Sequence, residues 1–154
     1  LLYEKAGAKP QAEKYARMAA AVSEKLIANP KLLELDPYSR AFDPNVVATE
    51  SYELIGEFDK AIATLQKYQA TMNNAPELQV RIDEVEIKRA EYKGDLKKAL
   101  ELAEGLVAKY EAQNNDFIRQ MLPGLRQRVM GLKLKLGIAP TPTEAAAAIG
   151  AAQR

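Results

Sequence analysis

The stretch IGEFDKAI, residues 55–62, decides how this chain folds. Gly56 ends an apolar run, Phe58 comes two residues later, and Ala61 stands five places after the glycine. Glycine can adopt the left-handed conformation that closes a helix without Cβ strain. A small side chain soon afterwards lets the next helix run back close beside the first, and Phe58 fills the angle between them. The arrangement returns in KGDLKKAL, residues 93–100, with Gly94, Leu96 and Ala99. A third copy, AGAKPQAE at residues 6–13, keeps Gly7 and Ala12. Three copies point to a repeated antiparallel helical hairpin.

Working outward, helical periodicity continues on both sides of each copy. Pro10, Pro44 and Pro76 stand where a first turn tolerates a missing backbone N–H, and Asp43 before Pro44 is a good N-cap. These marks predict helices over 1–6, 10–28, 44–55, 59–73, 76–92, 96–113 and 116–136. No segment reads as a strand.

Composition removes most function classes. The chain has 154 residues, 47% of them hydrophobic, enough for a sizeable core. Lys and Arg total 22 against 21 Asp and Glu, so no charge imbalance recruits nucleic acid or an anionic membrane. Cysteine and histidine are both absent. That excludes disulfides, thiolate and Ser-His nucleophiles and the usual transition-metal sites, and it removes the commonest general base near neutral pH. No run approaches the roughly 20 apolar residues of a membrane-spanning helix. LLYEKAG at the start reads as the end of a helix whose beginning is missing, so a fragment or processed chain is expected.

The glycine and alanine positions resemble tetratricopeptide repeats (TPR). In that family the first helix of each pair ends in glycine and the second carries an alanine five residues on, as at Gly7/Ala12, Gly56/Ala61 and Gly94/Ala99. GEFDKAI is similar to the consensus turn, and Tyr52 takes the family's large aromatic position. The glycines lie 49 and then 38 residues apart, against a family period of about 34, and the usual tryptophan is missing. The resemblance implies an all-α fold of antiparallel hairpins stacked as a short TPR-like α-solenoid, with about six or seven helices. It covers residues 1–136, with an insertion at 29–45 and a low-complexity tail at 137–154.

The insertion, NPKLLELDPYSRAFDPN, breaks the helical pattern with three prolines. A short helix and a turn would cover its apolar residues. Tyr38 and Arg40 are its candidate binding residues, because exposed aromatic and arginine side chains often anchor interfaces. The last long helix, DFIRQMLPGLRQRVMGLKLKLG at 116–137, has an apolar stripe of Ile118, Leu122, Leu125, Val129, Leu132 and Leu136 that would cover the preceding hairpin. Pro123 and Gly124 predict a kink or break near Leu122. Arg119, Arg126, Arg128, Lys133 and Lys135 make it locally basic, but Phe117 is the one aromatic residue in the stretch, so no series of aromatics accompanies these charges for base stacking. A solvated polar face is favoured over a nucleic-acid or membrane-surface role.

No constellation of residues points to catalysis. No GxGxxG or GxxxxGK[ST] loop and no calcium loop occurs. Asp36 with Asp43, or Glu84 with Glu86, are the only carboxylate pairs considered for catalysis, and such pairs are ordinary on solvated helices. No enzyme activity, catalytic residue, metal or cofactor is expected. The resemblance instead implies a binding groove lined by the first helices of each pair, which places Val46, Glu50 and Glu53 on it in one repeat and Arg81, Glu84, Lys88 and Glu91 in the next. One well-known subgroup grips a peptide carboxylate with lysines and asparagines on this face. Here Val46, Glu50, Glu84 and Lys88 hold those places, so that clamp is absent.

The expected function is a non-catalytic interaction or scaffold module for a protein or peptide partner. No nucleic acid is expected, nor direct membrane insertion by this segment. Two alternatives belong to other classes. LLYEKAGAKPQAEKYARMAAAV, residues 1–22, resembles helices that follow the membrane part of bacterial proteins similar to protein O-mannosyltransferases, which would make this the soluble end of a multi-spanning glycosyltransferase-like protein. The third reading is a structural subunit of an assembly or filament.

Overall fold

Proline and a capping carboxylate set the first boundaries. In the computed structural model, which describes residues 8–34, 43–113, 115–139 and 141, helix α1 spans Lys9–Ala28 with Pro10 in its first turn. A short helix, α2 (Lys31–Glu34), forms within the insertion. Helix α3 (Pro44–Leu54) begins behind Asp43, whose carboxylate accepts the Asn45 N–H at 2.8 Å. That satisfies one of the donors a helix start leaves without an internal partner. Helices α4 (Phe58–Thr71), α5 (Pro76–Tyr92), α6 (Leu96–Glu111) and α7 (Asp116–Lys135) follow. Asp95 caps α6 through the Lys98 N–H at 3.0 Å, and Asn115 caps α7 through the Phe117 N–H at 3.0 Å. The fold is all-α: every regular element among the described residues is a helix. The expected helix at 1–6 with Gly7, the candidate residues Tyr38 and Arg40, and the tail from 142 onward lie outside the described residues.

The glycine turns close as the sequence pattern requires. Gly56 has φ 77° and Gly94 φ 76°. After each, the next N–H reaches back to a carbonyl five residues earlier: Glu57 donates to Tyr52 at 2.8 Å and Asp95 to Ala90 at 3.0 Å. This bond satisfies a carbonyl that the end of a helix would otherwise leave open. Gly137 repeats the device at the end of α7, with φ 72° and the Ile138 N–H donating to Lys133 at 2.8 Å. Helix α4 ends differently, on Asn73 and Asn74 at φ 51° and 56°, a residue type that tolerates the left-handed region.

The chain gathers into two compact units, Leu1–Leu78 and Gln79–Arg154. In the first, α3 packs on both α1 and α4. Helix α1 buries only small residues, Ala12, Ala16, Ala20 and Ser23, while Ala48, Tyr52, Phe58, Ala61, Ile62 and Leu65 are buried in α3 and α4. In the second unit α5, α6 and α7 share one core, built from Val80, Ile87 and Ala90, then Ala99, Leu100 and Ala103, then Ile118, Leu122, Leu125, Val129 and Leu132. Burying each of the larger aliphatic side chains is worth about 1.5–3 kcal/mol. Ala61 and Ala99 are both fully buried, as the hairpin reading demands.

Of the kink or break expected near Leu122, the break does not occur: helix α7 runs on through Pro123. Pro123 and Gly124 are exposed, while Leu122, Leu125 and Val129 are buried and keep the helix seated on α6. The proline removes the bond to the carbonyl of exposed Arg119, which water can reach, so the lost bond costs less than lifting the stripe from its core.

Two alanine substitutions separate glycine's two roles. Gly94→Ala places a Cβ in the left-handed region and is expected to destabilise by about 1–2 kcal/mol. Gly105, inside α6, has ordinary helical geometry and nothing within 4 Å of an added Cβ. Gly105→Ala is therefore expected to stabilise by about 1 kcal/mol. Urea unfolding followed by circular dichroism should show midpoint shifts of opposite sign.

Candidate functional site

Each described hairpin that turns on a glycine is fastened again, away from the turn, by a tyrosine and an aspartate. In the α3–α4 pair, Tyr68 donates its hydroxyl to Asp43, the residue that caps α3. In the α5–α6 pair, Tyr110 donates to Asp83 at 2.8 Å. Asp83 is almost fully buried and also accepts from Gln79 at 2.9 Å and from Lys109 at 3.1 Å. A third tyrosine, Tyr52, links α3 to α1 by donating to Glu24. Asp83 is a structural acceptor, because a buried carboxylate without such donors would be costly.

The ionisation of these groups follows. Burial pushes Asp43 up, but hydrogen bonds from Tyr68, Asn45 and Val46 more than offset it and hold the carboxyl below its usual value. Burial and the bond to Glu24 push the Tyr52 hydroxyl up to about 12. Tyr68 is raised by its bond to Asp43, and Tyr110 by burial and its bond to Asp83.

Two concavities lie near the candidate groove residues, one in each unit. In the first unit a groove of about 320 Å³ runs between α1 and α3, floored by Ala12, Ala16, Ala19, Val47, Ser51 and Leu54 and walled by Tyr15 and Glu50. Val46 lies one turn before Glu50 and is 44% exposed. Glu53 is half-buried on the same helix. In the second unit a smaller cavity of about 110 Å³ is lined by Val80, Glu84, Leu106, Tyr110, Met121, Gly124, Leu125 and Arg128. Here the candidate residues hold one another: Arg81 pairs with Glu84 at 3.4 Å, and Glu91 with Arg128. Lys88 is half-buried and lines neither concavity. Glu84 and Glu86 do not converge. Residues two apart on a helix face different ways, and Glu86 opens instead onto a notch shared with Asp83, Glu101 and Gly105. Asp36 lies outside the described residues.

The basic character of α7 is largely consumed within its own unit. Arg126 pairs with Glu111 at 2.7 Å, Lys133 with Glu104 at 2.9 Å and Arg128 with Glu91, so three of its five cations fasten it to α5 and α6. Arg119 pairs more loosely with Asp116 at 3.8 Å. Among the described residues no helix is long and apolar enough to cross a membrane.

One surface escaped the sequence reading. Tyr15, Met18 and Val22 of α1 form an outward stripe, 49%, 54% and 54% exposed, beside the groove. Their spacing of three and then four residues is a helical face, and it would have been found by asking which apolar positions of α1 the alanine seam left over. No family model, curated protein or solved structure matches the chain.

The hydroxyl–carboxylate links predict stability against pH. Asp43 titrates lower in the folded state, so its contribution is present above about pH 4 and is lost as pH falls further. Tyr52 titrates higher, so its contribution is present below about pH 10 and is lost as pH rises toward 12. Tyrosinate absorbance and helical circular dichroism should therefore change together at the alkaline end, and Tyr52→Phe should flatten that limb. Tyr110→Phe leaves Asp83 short of a donor and is expected to cost about 1–3 kcal/mol at neutral pH.

Proposed function

We propose that the protein is a non-catalytic interaction module of TPR type, one that holds a protein or peptide partner on a surface presented by stiff helical hairpins. The observation that carries this reading is the duplicated hairpin. The α3–α4 and α5–α6 pairs share the left-handed glycine, the reach-back backbone bond, the fully buried alanine five residues on and a tyrosine–aspartate bond across the pair. Such closure fixes the helices while leaving their outer side chains free to vary, which suits a chain whose work is recognition. The sequence supplies the complementary argument, since histidine and cysteine are absent and the catalytic pairings that need them are unavailable.

The reading is tested by isolating the native protein under mild conditions and measuring the mass of the chain and its companions. A stoichiometric companion is expected, and it should stay with the chain through repeated washing. A chain that travels alone at its own mass of 17.0 kDa would count against the proposal. A multi-spanning companion or a regular polymer of the chain would move the reading to a membrane-protein appendage or a structural subunit.

A further inference from the structure

Both units are built on the same glycine turn, so their helices can be matched position by position. Ala12 of α1 corresponds to Ala99 of α6, and the left-handed Gly56 that ends α3 corresponds to the left-handed Gly137 that ends α7. On that correspondence Ala19 and Val47, which line the groove between α1 and α3, take the places of Leu106 and Arg128. In the second unit those two residues share a small cavity with Val80 and Glu84 of α5, and Arg128 also pairs with Glu91 of α5. Helix α5 therefore lies, in the second unit, where the first unit presents an open groove. The side chains that α5 turns toward α6 and α7, Val80, Glu84, Ile87 and Glu91, recur every three or four residues, which is one face of a helix.

We infer that the groove between α1 and α3 docks a helix of a partner protein, one that carries large aliphatic side chains on its buried face and a lysine or arginine against Glu50; this rests on the interaction-module reading. The place held by α5 gives the shape of the occupant. Size gives its apolar side chains: Ala19 stands where the second unit has Leu106, and Ser51, also on the groove, where it has the almost fully buried Leu132. The groove is accordingly roomier, about 320 Å³ against about 110 Å³ for the cavity beside α5. An occupant fills it with leucine-sized groups where α5 brings Val80 and Ala90, and Tyr15, Met18 and Val22 extend the apolar contact along α1. Charge gives its flank. Glu50 is the charged residue that lines the groove; it is exposed, and it pairs with nothing among the described residues. Across the second seat the base, Arg128, belongs to α7 and the acid, Glu91, to α5. In the first unit the acid stands on α3, so the base falls to the occupant. Lys14 and Lys25 do not oppose it, because the 100° offset between successive helical residues puts them beyond Met18, on the side of α1 turned away from the groove.

The test titrates the full chain with two helix-stapled peptides of about four turns that share a leucine stripe and differ at one flank, lysines in one and glutamates in the other. The lysine peptide is expected to bind about fivefold more tightly, the difference shrinking as salt rises. Glu50→Lys should reverse that preference. Ala19→Leu, which fills the seat as Leu106 does, should weaken both peptides about tenfold, and helical circular dichroism should be unchanged in both variants. Failure of both peptides to bind, equal affinity for the two, or indifference to Ala19→Leu overturns the inference. So does a dimer in sedimentation that Ala19→Leu dissolves, which assigns the groove to a second copy, or a clear gain in peptide affinity when Tyr3→Glu is introduced into the full chain, which assigns it to the chain's own first residues. If the peptides fail while the native companion stays on the Ala19→Leu variant, this groove alone is overturned and the interaction module stands; if no companion is found either, the module falls with it.

Discussion

The close approach of two helix backbones immediately after a left-handed glycine is the constraint on which the rest of the structure depends. It requires a residue that accepts positive φ, a backbone bond that reaches back over the turn, and no side chain beyond a methyl where the returning helix first meets its partner. Gly56 and Gly94 meet the first condition, Glu57 and Asp95 supply the bond, and Ala61 and Ala99 are fully buried. Once the near end is set, the axial register of the two helices is no longer adjustable. That fixed register is why a tyrosine three to four helical turns away can find an aspartate across the pair at hydrogen-bond distance. The hairpins are thus held twice, by backbone geometry at the turn and by a side-chain bond away from it.

Charge is used locally, and this explains why a nearly neutral chain carries so many charged residues. Helix α7 is basic when read alone, yet Glu91, Glu104 and Glu111 on the helices it covers answer three of its cations. Of these only Arg126–Glu111 is exposed on both sides, and such a pair contributes about 0–1 kcal/mol. The larger effect of all three is positional: a terminal helix held by a uniform apolar stripe could slide by one turn, and the pairs penalise that slip. Pro123 and Gly124 become tolerable for the same reason, since the helix depends on its seat more than on its own hydrogen bonds.

Much of this was legible in the sequence because it is written in residues with narrow conformational meaning. Glycine at a helix end, proline in a first turn and aspartate before it leave few alternatives, and α1, α3, α5 and α7 begin within a residue or so of where those marks place them. The tyrosine–aspartate fastenings were not legible, since Tyr68 and Asp43 or Tyr110 and Asp83 are ordinary residues until the hairpin register brings them together. The continuity of α7 through Pro123 was not legible, because packing that local propensity does not report holds it. The groove residues read from the family resemblance fared unevenly for a related reason. Glu50 does wall a groove, whereas Arg81, Glu84 and Glu91 are drawn into ion pairs whose partners, in two of the three cases, also lie on α5.

That difference bears on where recognition can start. A ligand entering the cavity of the second unit meets Glu84 and Arg128 already engaged with Arg81 and Glu91, and must either leave those half-buried pairs intact or replace them with partners as good. Its own polar groups gain little, because the charges they would seek are spoken for. The groove of the first unit imposes no such exchange. Its floor is aliphatic, and covering Met18, Val22 and Tyr15 removes apolar surface from water with few polar groups to compensate. Water leaves such a surface at a net gain, whereas it leaves a paired carboxylate and guanidinium at a loss. Under the proposed interaction reading, the first unit would supply the affinity of an encounter, and the charged cavity of the second would serve better to reject a poorly matched ligand than to attract a good one.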